Sequence, residues 1–269
     1  MLEFGTNSGM VPKYDLKKYK PFKPSPYKNI HFFYIVHQDD LEIAAKVNKA
    51  FDEGFSWFSG LQGYANILYH TEKRFSIGFK NRDNPLPEIE QKLSEREFDP
   101  EVQYIAIYIT PYGKFEQDIQ KKEIYYKVKE TLLKRNITSQ AIDPAKVEEQ
   151  GENWVYSLPN IATAILAKLN GIPWRLNTPV KNELIVGVGA FKYIEEDIQY
   201  IGSAFSFAND GQFNRFEYFM KDETDLLAGS ISNSIREYAT INNKPDRLII
   251  HFYKTMSEKE MKPIQEALD

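Results

Sequence analysis

Two continuous apolar runs, residues 30–36 and 102–109, constrain the fold of this 269-residue chain more than any other feature. A run without polar alternation is typical of a strand buried on both faces, as in a parallel sheet. Each run leads into a helical pattern, at residues 41–51 and 117–135. This alternation predicts an α/β fold with a Rossmann-like parallel sheet covered on both faces. No Gly-x-Gly-x-x-Gly opens these helices, so no dinucleotide site is indicated.

The chain divides into three predicted segments. Residues 1–28 contain four prolines, which oppose a helix and predict an extended, wrapping segment. Residues 29–178 carry the Rossmann-like pattern. Residues 179–269 form a second domain whose predicted order of elements opens a ribonuclease-H-like fold. Its strands are predicted at 184–191, 200–207 and 213–220, its helix at 223–242 and its last strand at 247–253.

Local signals predict how several helices begin and end. Asp39 and Asp40 are expected to cap the helix at 41–51. A charged loop is expected at 143–153, and a helix at 159–169 with Gly171 as its C′ residue.

Composition excludes several classes of protein. Cysteine is absent, which excludes disulfides and thiolate metal sites, and the four histidines show no ligand spacing. No apolar run is long enough for a membrane span and no signal peptide is indicated, so a cytoplasmic protein without membrane contact is predicted. The net charge of −4 argues mildly against non-specific nucleic-acid binding. Residues 13–28 are locally basic and aromatic, consistent with either a solvated arm or nucleic-acid contact.

Five polar side chains of the central region are predicted to converge on one anion. Tyr125 and Lys129 share a helical face at i and i+4, and Asn160 and Lys168 share another at i and i+8. Gln140 lies in the short strand between the two helices. Two ammonium groups can neutralise a dianion while the phenol and amides donate directed hydrogen bonds. The set therefore suits a terminal phosphate.

These motifs together resemble the MID domain of prokaryotic Argonautes. The resemblance rests on Tyr-x-x-x-Lys at 125–129, Ser-Gln at 139–140 and Asn-Ile-x-x-x-Ile-x-x-Lys-Leu-x-Gly-Ile-Pro-Trp at 160–174. It implies that Tyr125 is the platform for the first base, that Lys129, Gln140 and Lys168 bind the guide 5′-phosphate, and that Asn160 lies near the first phosphates. Ala164 replaces a glutamine common in relatives, which removes one polar contact. Asn170 replaces the first glycine of a usual Gly-Gly pair.

The second domain resembles the N-terminal half of a PIWI domain, without its nuclease site. Metal-dependent PIWI nucleases need carboxylates at fixed strand positions. Gly189 and Tyr253 occupy two positions where the resemblance expects aspartate, and neither residue supplies such a Mg²⁺ ligand. The resemblance therefore implies a protein without slicing activity. The acidic residues at 195–197 are better explained as a turn than as a replacement site.

The resemblance also implies partners. It identifies the chain as a short Argonaute that binds a guide RNA or DNA and a complementary target DNA or RNA. Its expected partner in prokaryotic antiviral defence is an APAZ-containing effector protein, either a sirtuin-like or TIR NADase or a nuclease. No cofactor is required, although a Mg²⁺ ion at the guide 5′-phosphate is compatible with the family.

Alternatives remain open at this point. A Rossmann-like enzyme or binding protein for a small phosphorylated ligand would use the same pocket, and an active nuclease would use ligands that the motifs do not reveal. The sequence does not distinguish a natural short protein, completed by a partner, from a fragment of a longer PIWI protein.

Overall fold

The computed structural model describes residues 1–113, 115–179, 181–193, 198–208, 213–215, 218–220, 223–242 and 244–268. The chain forms two compact units, Met1–Arg175 and Leu176–Asp269. The acidic residues at 195–197 lie outside the described residues, as does the middle of the predicted strand at 213–220.

The first unit is built from eight strands and seven helices among its described residues. They are, in chain order, β1 (Leu2–Glu3), β2 (Ser8–Gly9), α1 (Pro12–Tyr19), β3 (Ile30–His37), α2 (Leu41–Asp52), α3 (Gly60–Ala65), β4 (His70–Thr71), β5 (Ile77–Phe79), α4 (Leu86–Ser94), β6 (Gln103–Ile109), α5 (Ile119–Leu133), β7 (Thr138–Ile142), α6 (Pro144–Glu149), α7 (Leu158–Lys168) and β8 (Arg175–Leu176). The division between the two units falls within β8.

A parallel sheet organises the first unit. Its strand order is β4-β3-β6-β7, with β5 also pairing with β3, and every pair is parallel. Alternate residues of β3 enter opposite cores, with Phe32 and Tyr34 on one face and Phe33 and Ile35 on the other. Because both faces are buried, the strand needs apolar residues throughout. The predicted Rossmann-like α/β fold is confirmed.

The N-terminal segment differs from the prediction. Residues 1–28 contain β1, β2 and the eight-residue helix α1, rather than being extended throughout. Pro12 is compatible with the helix because it lies in the first turn, where a missing N–H breaks no helical hydrogen bond. The other prolines, Pro21, Pro24 and Pro26, all follow the end of α1. The rule that proline opposes helix therefore applied only beyond Tyr19.

The loop and cap predictions were also partly wrong. Residues 143–153 contain α6 and the start of a 3-10 helix, Gly151–Tyr156. α6 begins here because the Asp143 side chain caps it by accepting from the Ala145 N–H, and because Pro144 fits its first turn. Asp39 and Asp40 lie in a 3-10 turn before α2, and neither side chain caps that helix. Asp40 instead forms an ion pair of 2.8 Å with Arg82, a partner that lies far away in sequence.

The end of α7 is a Schellman motif. The N–H of Gly171 donates to the carbonyl oxygen of Leu166, and the N–H of Asn170 donates to that of Ala167. The left-handed residue is Asn170, with φ of 58°, rather than the predicted Gly171. Gly171 is required for space, because a Cβ there would lie 2.4 Å from a methyl group of buried Leu166.

The N-terminal segment is tied to this helix end. The backbones of Lys23 and Ile172 exchange two hydrogen bonds, of 2.9 and 2.8 Å. The Ser25 hydroxyl donates to the carbonyl oxygen of Leu169 at 2.9 Å, and the Asn170 amide donates to the Tyr27 hydroxyl at 2.7 Å. Residues 23–27 therefore hold the chain just beyond α7.

The second unit contains a mixed sheet with one main helix against it. Its elements are β9 (Glu183–Tyr193), β10 (Ile198–Ala208), β11 (Phe213–Arg215), β12 (Tyr218–Met220), α8 (Thr224–Asn242), β13 (Arg247–Phe252) and α9 (Glu258–Leu268). β9 pairs antiparallel with β10 and parallel with β13. β11 and β12 are separate strands that both pair with β10, where one strand was predicted. The predicted ribonuclease-H-like order of elements is confirmed.

The core of the second unit lies between β9 and the helices. Leu184, Val186 and Val188 point to one face of β9 and are buried with Leu227 and Ile231 of α8. The period of two along β9 is that of a strand with one buried face. No helix in the part of the chain that the structure describes is long and apolar enough to cross a bilayer.

Candidate guide-end binding site

The candidate site lies at the carboxyl ends of β6 and β7, where ligands of open parallel sheets commonly bind. α5 begins there because Asp118 caps it, accepting from the backbone N–H of Gln120 at 2.9 Å. Its residues Ile124 and Val128 are buried in the core beneath the helix. This burial leaves Tyr125 and Lys129 on a face of α5 that borders open space.

A cleft of about 910 Å³ occupies this space. Its walls are formed by α5, by β7 and the residue after it, and by the first turns of α7, with the loop after β6 at one side. The described residues that line it are Thr110, Tyr112, Gly113, Lys121, Lys122, Tyr125, Tyr126, Lys129, Gln140, Ala141, Ile142, Asp143, Lys146, Trp154, Ser157, Asn160, Ile161 and Ala164. Lysine is therefore the most frequent charged residue of the wall.

The structure brings the five predicted site residues together. Tyr125, Lys129, Gln140 and Asn160 all line the cleft. Lys168 adjoins it, because its ammonium donates to the side-chain oxygen of Gln140 at 2.8 Å and to the carbonyl oxygen of Ser139 at 2.7 Å. The roles that the resemblance implies for them remain predictions.

The electrostatics of the site are unusual at Lys168. Lys168 is an exposed residue, but its ammonium is bonded to two oxygens of β7. Burial lowers the pKa of Lys168 to about 8, and the positive charge of Lys129 contributes in the same direction. A dianion bound beside both lysines would offset the repulsion that lowers the pKa of Lys168.

The same donor set argues against a Mg²⁺ ion at this position. Mg²⁺ requires oxygen ligands in a nearly octahedral arrangement. Here the side-chain oxygen of Gln140 and the carbonyl oxygen of Ser139 both accept hydrogen bonds from an ammonium. The positive charge of Lys129 lowers the pKa of Lys168 and would likewise repel a cation bound beside it. These residues fit an anion and do not fit a divalent cation.

Sequence reasoning assigned no role to three other lysines of the cleft, Lys121, Lys122 and Lys146. The spacing of Lys122 and Lys129, seven residues on one helix, could have indicated a shared face. The ammonium of Lys121 lies 4.7 Å from the centroid of the Tyr112 ring, a contact across the cleft wall that spacing does not reveal. Ala164 also lines the cleft, at the position where a glutamine was expected.

In the second unit, Gly189 lies within β9, and Tyr253 directly follows the neighbouring strand β13. β13 is parallel to β9 with Phe252 opposite Val188, and the N–H of Tyr253 donates to the carbonyl oxygen of Val188 at 2.9 Å. A Cβ added at Gly189 would meet no atom within 4 Å. The position could hold a larger side chain, so the glycine is not required by packing.

Comparison with known proteins agrees with this fold. The family model of the Piwi domain matches residues 117–269. The protein argonaute of Cereibacter sphaeroides is 26% identical over 156 residues, which are 52% of this chain and 20% of that relative. The chain is therefore similar to only a fifth of that protein.

Two solved structures are also similar. The Marinitoga piezophila Argonaute in complex with a 5′-hydroxyl guide RNA has a TM-score of 0.68 at 13% identity, over 99% of this chain and 41% of that one. Drosophila Piwi has a TM-score of 0.63 at 13% identity, over 98% of this chain and 35% of that one. Both similarities define an Argonaute-like fold. With more than half of its length matched by the family model, the chain belongs to the Piwi domain family.

Proposed function

We propose that this chain binds the 5′ end of a guide nucleic acid and anchors it by its 5′-phosphate for recognition of a complementary target. The observation that carries the proposal is the convergence of Tyr125, Lys129, Gln140 and Asn160 on one cleft, with Lys168 bonded to Gln140. Each hydrogen bond to a charged group contributes roughly 1.5 to 3 kcal/mol. Several of them would make the terminal phosphate the main anchor of a weakly held strand.

The chemistry of the cleft supports a phosphate over a hydroxyl as the terminal group. The Marinitoga piezophila structure contains a guide RNA with a 5′-hydroxyl, so an Argonaute fold by itself does not select the 5′ group. The deciding feature would be the two lysines of this cleft. A neutral hydroxyl leaves the repulsion between Lys129 and Lys168 in place, whereas a dianion removes it.

We further propose that the chain does not slice its target. The support is the identity of two residues, Gly189 within β9 and Tyr253 just after the paired strand β13, at positions where the family resemblance expects carboxylates. A glycine has no side-chain ligand, and a neutral phenol is a poor ligand for Mg²⁺. Two-metal hydrolysis of a phosphodiester depends on such carboxylates.

In this proposal the chain is the guide-binding subunit of a short prokaryotic Argonaute system in antiviral defence. Its partner would be an APAZ-containing effector, a sirtuin-like or TIR NADase or a nuclease, that responds when the guide pairs with its target. This part of the proposal rests on the family resemblance.

The test measures binding of 3′-labelled RNA and DNA guides that differ only in a 5′-phosphate or 5′-hydroxyl, at fixed salt. We expect the native chain to prefer the phosphate, and Lys129→Ala and Lys168→Ala to lose that preference. Lys134→Ala is the matched control, because Lys134 directly follows α5 and pairs with Glu130 at 2.6 Å. Equal binding of both guides by the native chain would contradict the proposal. Preferential binding of a nucleoside monophosphate over a guide would favour a small-ligand protein instead.

A further inference from the structure

An exposed surface at α1 takes no part in the proposed anchor. Met10 is 78% exposed and Tyr14 is 63% exposed, and Val11 and Tyr156 are exposed as well. Single exposed apolar side chains are normal, whereas a contiguous group of them marks an interaction site. Lys13 and Trp57 contact the two tyrosines and complete what we call the α1 surface: Met10, Val11, Lys13, Tyr14, Trp57 and Tyr156.

α1 presents this surface because its other side is anchored to the first unit. Leu16 is fully buried in the core, and the Tyr64 hydroxyl donates to the carbonyl oxygen of Lys13 at 3.0 Å. Tyr14 and Lys17 are exposed on the opposite side of the helix, and Lys13 is half-buried at its edge. The helix therefore has one side fixed in the core and one side available to a ligand.

Lys13 organises the aromatic part of the α1 surface. Its ammonium lies 4.3 Å from the ring centroid of Trp57, 4.5 Å from that of Tyr156 and 5.5 Å from that of Tyr14. An ammonium is attracted to the face of an aromatic ring at such distances. Three rings from three segments of the chain are thereby held together before any ligand binds, which lowers the entropy loss of binding.

Trp57 lies in a tight turn whose backbone is costly to form. Ser56 has φ of 54°, in the left-handed region that residues other than glycine rarely adopt. The backbones of Phe55 and Phe58 exchange two hydrogen bonds, of 2.9 and 3.0 Å, which close the turn. Such conformations persist where the surrounding structure fixes them, and they are concentrated at functional sites. The turn therefore holds Trp57 in one defined position.

The α1 surface and the cleft lie on different sides of one 3-10 helix, Gly151–Tyr156. Trp154 and Ser157, the residue directly after this helix, line the cleft. Tyr156 instead contacts Trp57, with 5.9 Å between the two ring centroids. A ligand at the α1 surface therefore does not need to enter the cleft.

The α1 surface is positively charged. The ammonium groups of its lysines have neutral partners, because Lys13 contacts aromatic rings and the Lys17 Nζ lies 3.5 Å from the carbonyl oxygen of Trp57. Asp15, the acidic residue of α1, accepts from the backbone N–H groups of Met10 and Val11 at 2.9 and 2.7 Å. The charges of Lys13 and Lys17 are therefore available to a ligand that carries carboxylates.

The side chains of the α1 surface favour a protein ligand over a nucleic acid. A single-stranded nucleic acid stacks its bases on free ring faces. Here the ammonium of Lys13 already lies over the rings of Trp57 and Tyr156. Met10 and Val11 are aliphatic and offer no stacking face, whereas methionine, tyrosine and tryptophan are enriched in protein interfaces.

We propose that the α1 surface is a docking site for an acidic amphipathic segment of a partner protein. Apolar side chains of the segment cover Met10, Val11 and Tyr14, and its carboxylates pair with Lys13 and Lys17. Lys13 is the centre of the site, because it contacts the rings and provides the charge. The proposal goes beyond the proposed function, because it requires no guide in the cleft.

The experiment measures binding of defined synthetic peptides to the full 269-residue chain by fluorescence anisotropy. The acidic probe is a labelled peptide of about four helical turns, with leucine and phenylalanine along one face and glutamate elsewhere. Two matched peptides carry glutamine or lysine in place of every glutamate. We expect the acidic peptide to bind about tenfold more tightly than the glutamine peptide, and its affinity to fall as salt is added.

Two variants of the α1 surface are each paired with a control. Lys13→Glu reverses the central charge, and Tyr14→Ala removes an exposed ring; each should weaken binding of the acidic peptide about tenfold. The controls are Lys73→Glu and Leu133→Ala, which change exposed residues of the same kinds. Both controls lie beside the core on the other face of the parallel sheet, so they should bind the peptide as the native chain does.

Several outcomes would overturn the docking site. These are equal binding of the three peptides, or binding of the acidic peptide that Lys13→Glu and Tyr14→Ala leave unchanged. A single-stranded 5′-hydroxyl oligonucleotide whose binding is weakened by Lys13→Glu, without a loss for the acidic peptide, would assign the surface to nucleic acid. Self-association of the native chain that Tyr14→Ala abolishes, measured by sedimentation, would assign it to a second copy of the chain.

Failure of this proposal is distinguishable from failure of the proposed function. Lys13→Glu and Tyr14→Ala should both keep the preference for a 5′-phosphate guide, because neither residue lines the cleft. Lys129→Ala and Lys168→Ala should bind the acidic peptide as the native chain does.

Discussion

The ammonium of Lys168 donates to the side-chain oxygen of Gln140 at 2.8 Å, while the amide nitrogen of Gln140 donates to the carbonyl oxygen of Ala141 at 2.9 Å. Both ends of the Gln140 amide are therefore engaged within the protein. In this arrangement Gln140 holds the Lys168 ammonium beside the cleft, and the NH2 group of its amide has a second N–H that can bind a ligand.

Replacing the amide by a carboxylate tests this positioning role. In Gln140→Glu the new charge would pair with Lys168 and compete with a phosphate for it, so affinity for a 5′-phosphate guide should fall by more than tenfold. Affinity for the 5′-hydroxyl guide should change much less. Titration of both guides measures this, with Gln150→Glu, at an exposed position, as the control for added charge. A tight 5′-phosphate complex of Gln140→Glu would contradict the role.

Guide binding should depend on pH through Lys168. Its pKa of about 8 in the empty cleft would rise when a phosphate binds, because a dianion favours the ammonium. The affinity should therefore be constant between about pH 7 and 8, where the phosphate is a dianion, and weaken above pH 8 by at most about tenfold per pH unit. A binding series at constant ionic strength measures the effect. The 5′-hydroxyl guide and the Lys168→Met variant should lack it.

The same lysine affects stability in the opposite direction. Its folded pKa of about 8 lies below the ordinary 10.5, so between these values the unfolded chain binds more protons. The contribution of Lys168 to the free energy of unfolding must then rise with pH from 8 to 10.5. Urea unfolding of the native chain and Lys168→Met at several pH values isolates this contribution. A constant difference between the two would show that the Lys168 pKa is not lowered.

The end of α7 should be intolerant of a side chain at Gly171. An alanine there would place its Cβ 2.4 Å from a methyl group of Leu166, which is fully buried, so a neighbour must shift. Such overpacking costs about 1 to 3 kcal/mol of unfolding free energy. Denaturant unfolding measures it against Gly78→Ala, where a Cβ meets no atom within 4 Å. Equal stability of the two variants would mean that Leu166 has room to shift.

A guide-loaded sample should leave its complementary target intact. With Gly189 and Tyr253 at the two positions where carboxylates are expected, we expect no cleavage in either Mg²⁺ or Mn²⁺. Gel analysis of end-labelled target over time measures this, with target bound to unloaded protein as the background. A guide-dependent product of defined length would overturn the inactivity proposal.

Local periodicity was sufficient to predict the sheet and much of the site. The alternate residues of β3 enter two cores, and continuous burial of that kind leaves an unbroken apolar run in the sequence. The spacing of Tyr125 and Lys129 likewise placed both on one face of α5. These features depend only on the geometry of a single helix or strand.

Features that depend on distant partners could not be predicted. Asp40 pairs with Arg82 across 42 positions, so a residue typical of helix caps does not cap α2. The bond between Lys168 and Gln140 joins α7 to β7, and no spacing rule reports it. The contact of the Lys121 ammonium with the Tyr112 ring also joins two different segments of the chain, so it could not be predicted either.

The pairing of residues 23–27 with the chain beyond α7 has a consequence for how the cleft works. Lys168 lies one residue before Leu169, whose carbonyl oxygen accepts from Ser25, and close to the paired backbones of Lys23 and Ile172. The helix end that carries this lysine is therefore ordered when the protein folds. The entropy loss of ordering this helix end therefore occurs when the protein folds. Binding of a ligand to Lys168 does not include that loss.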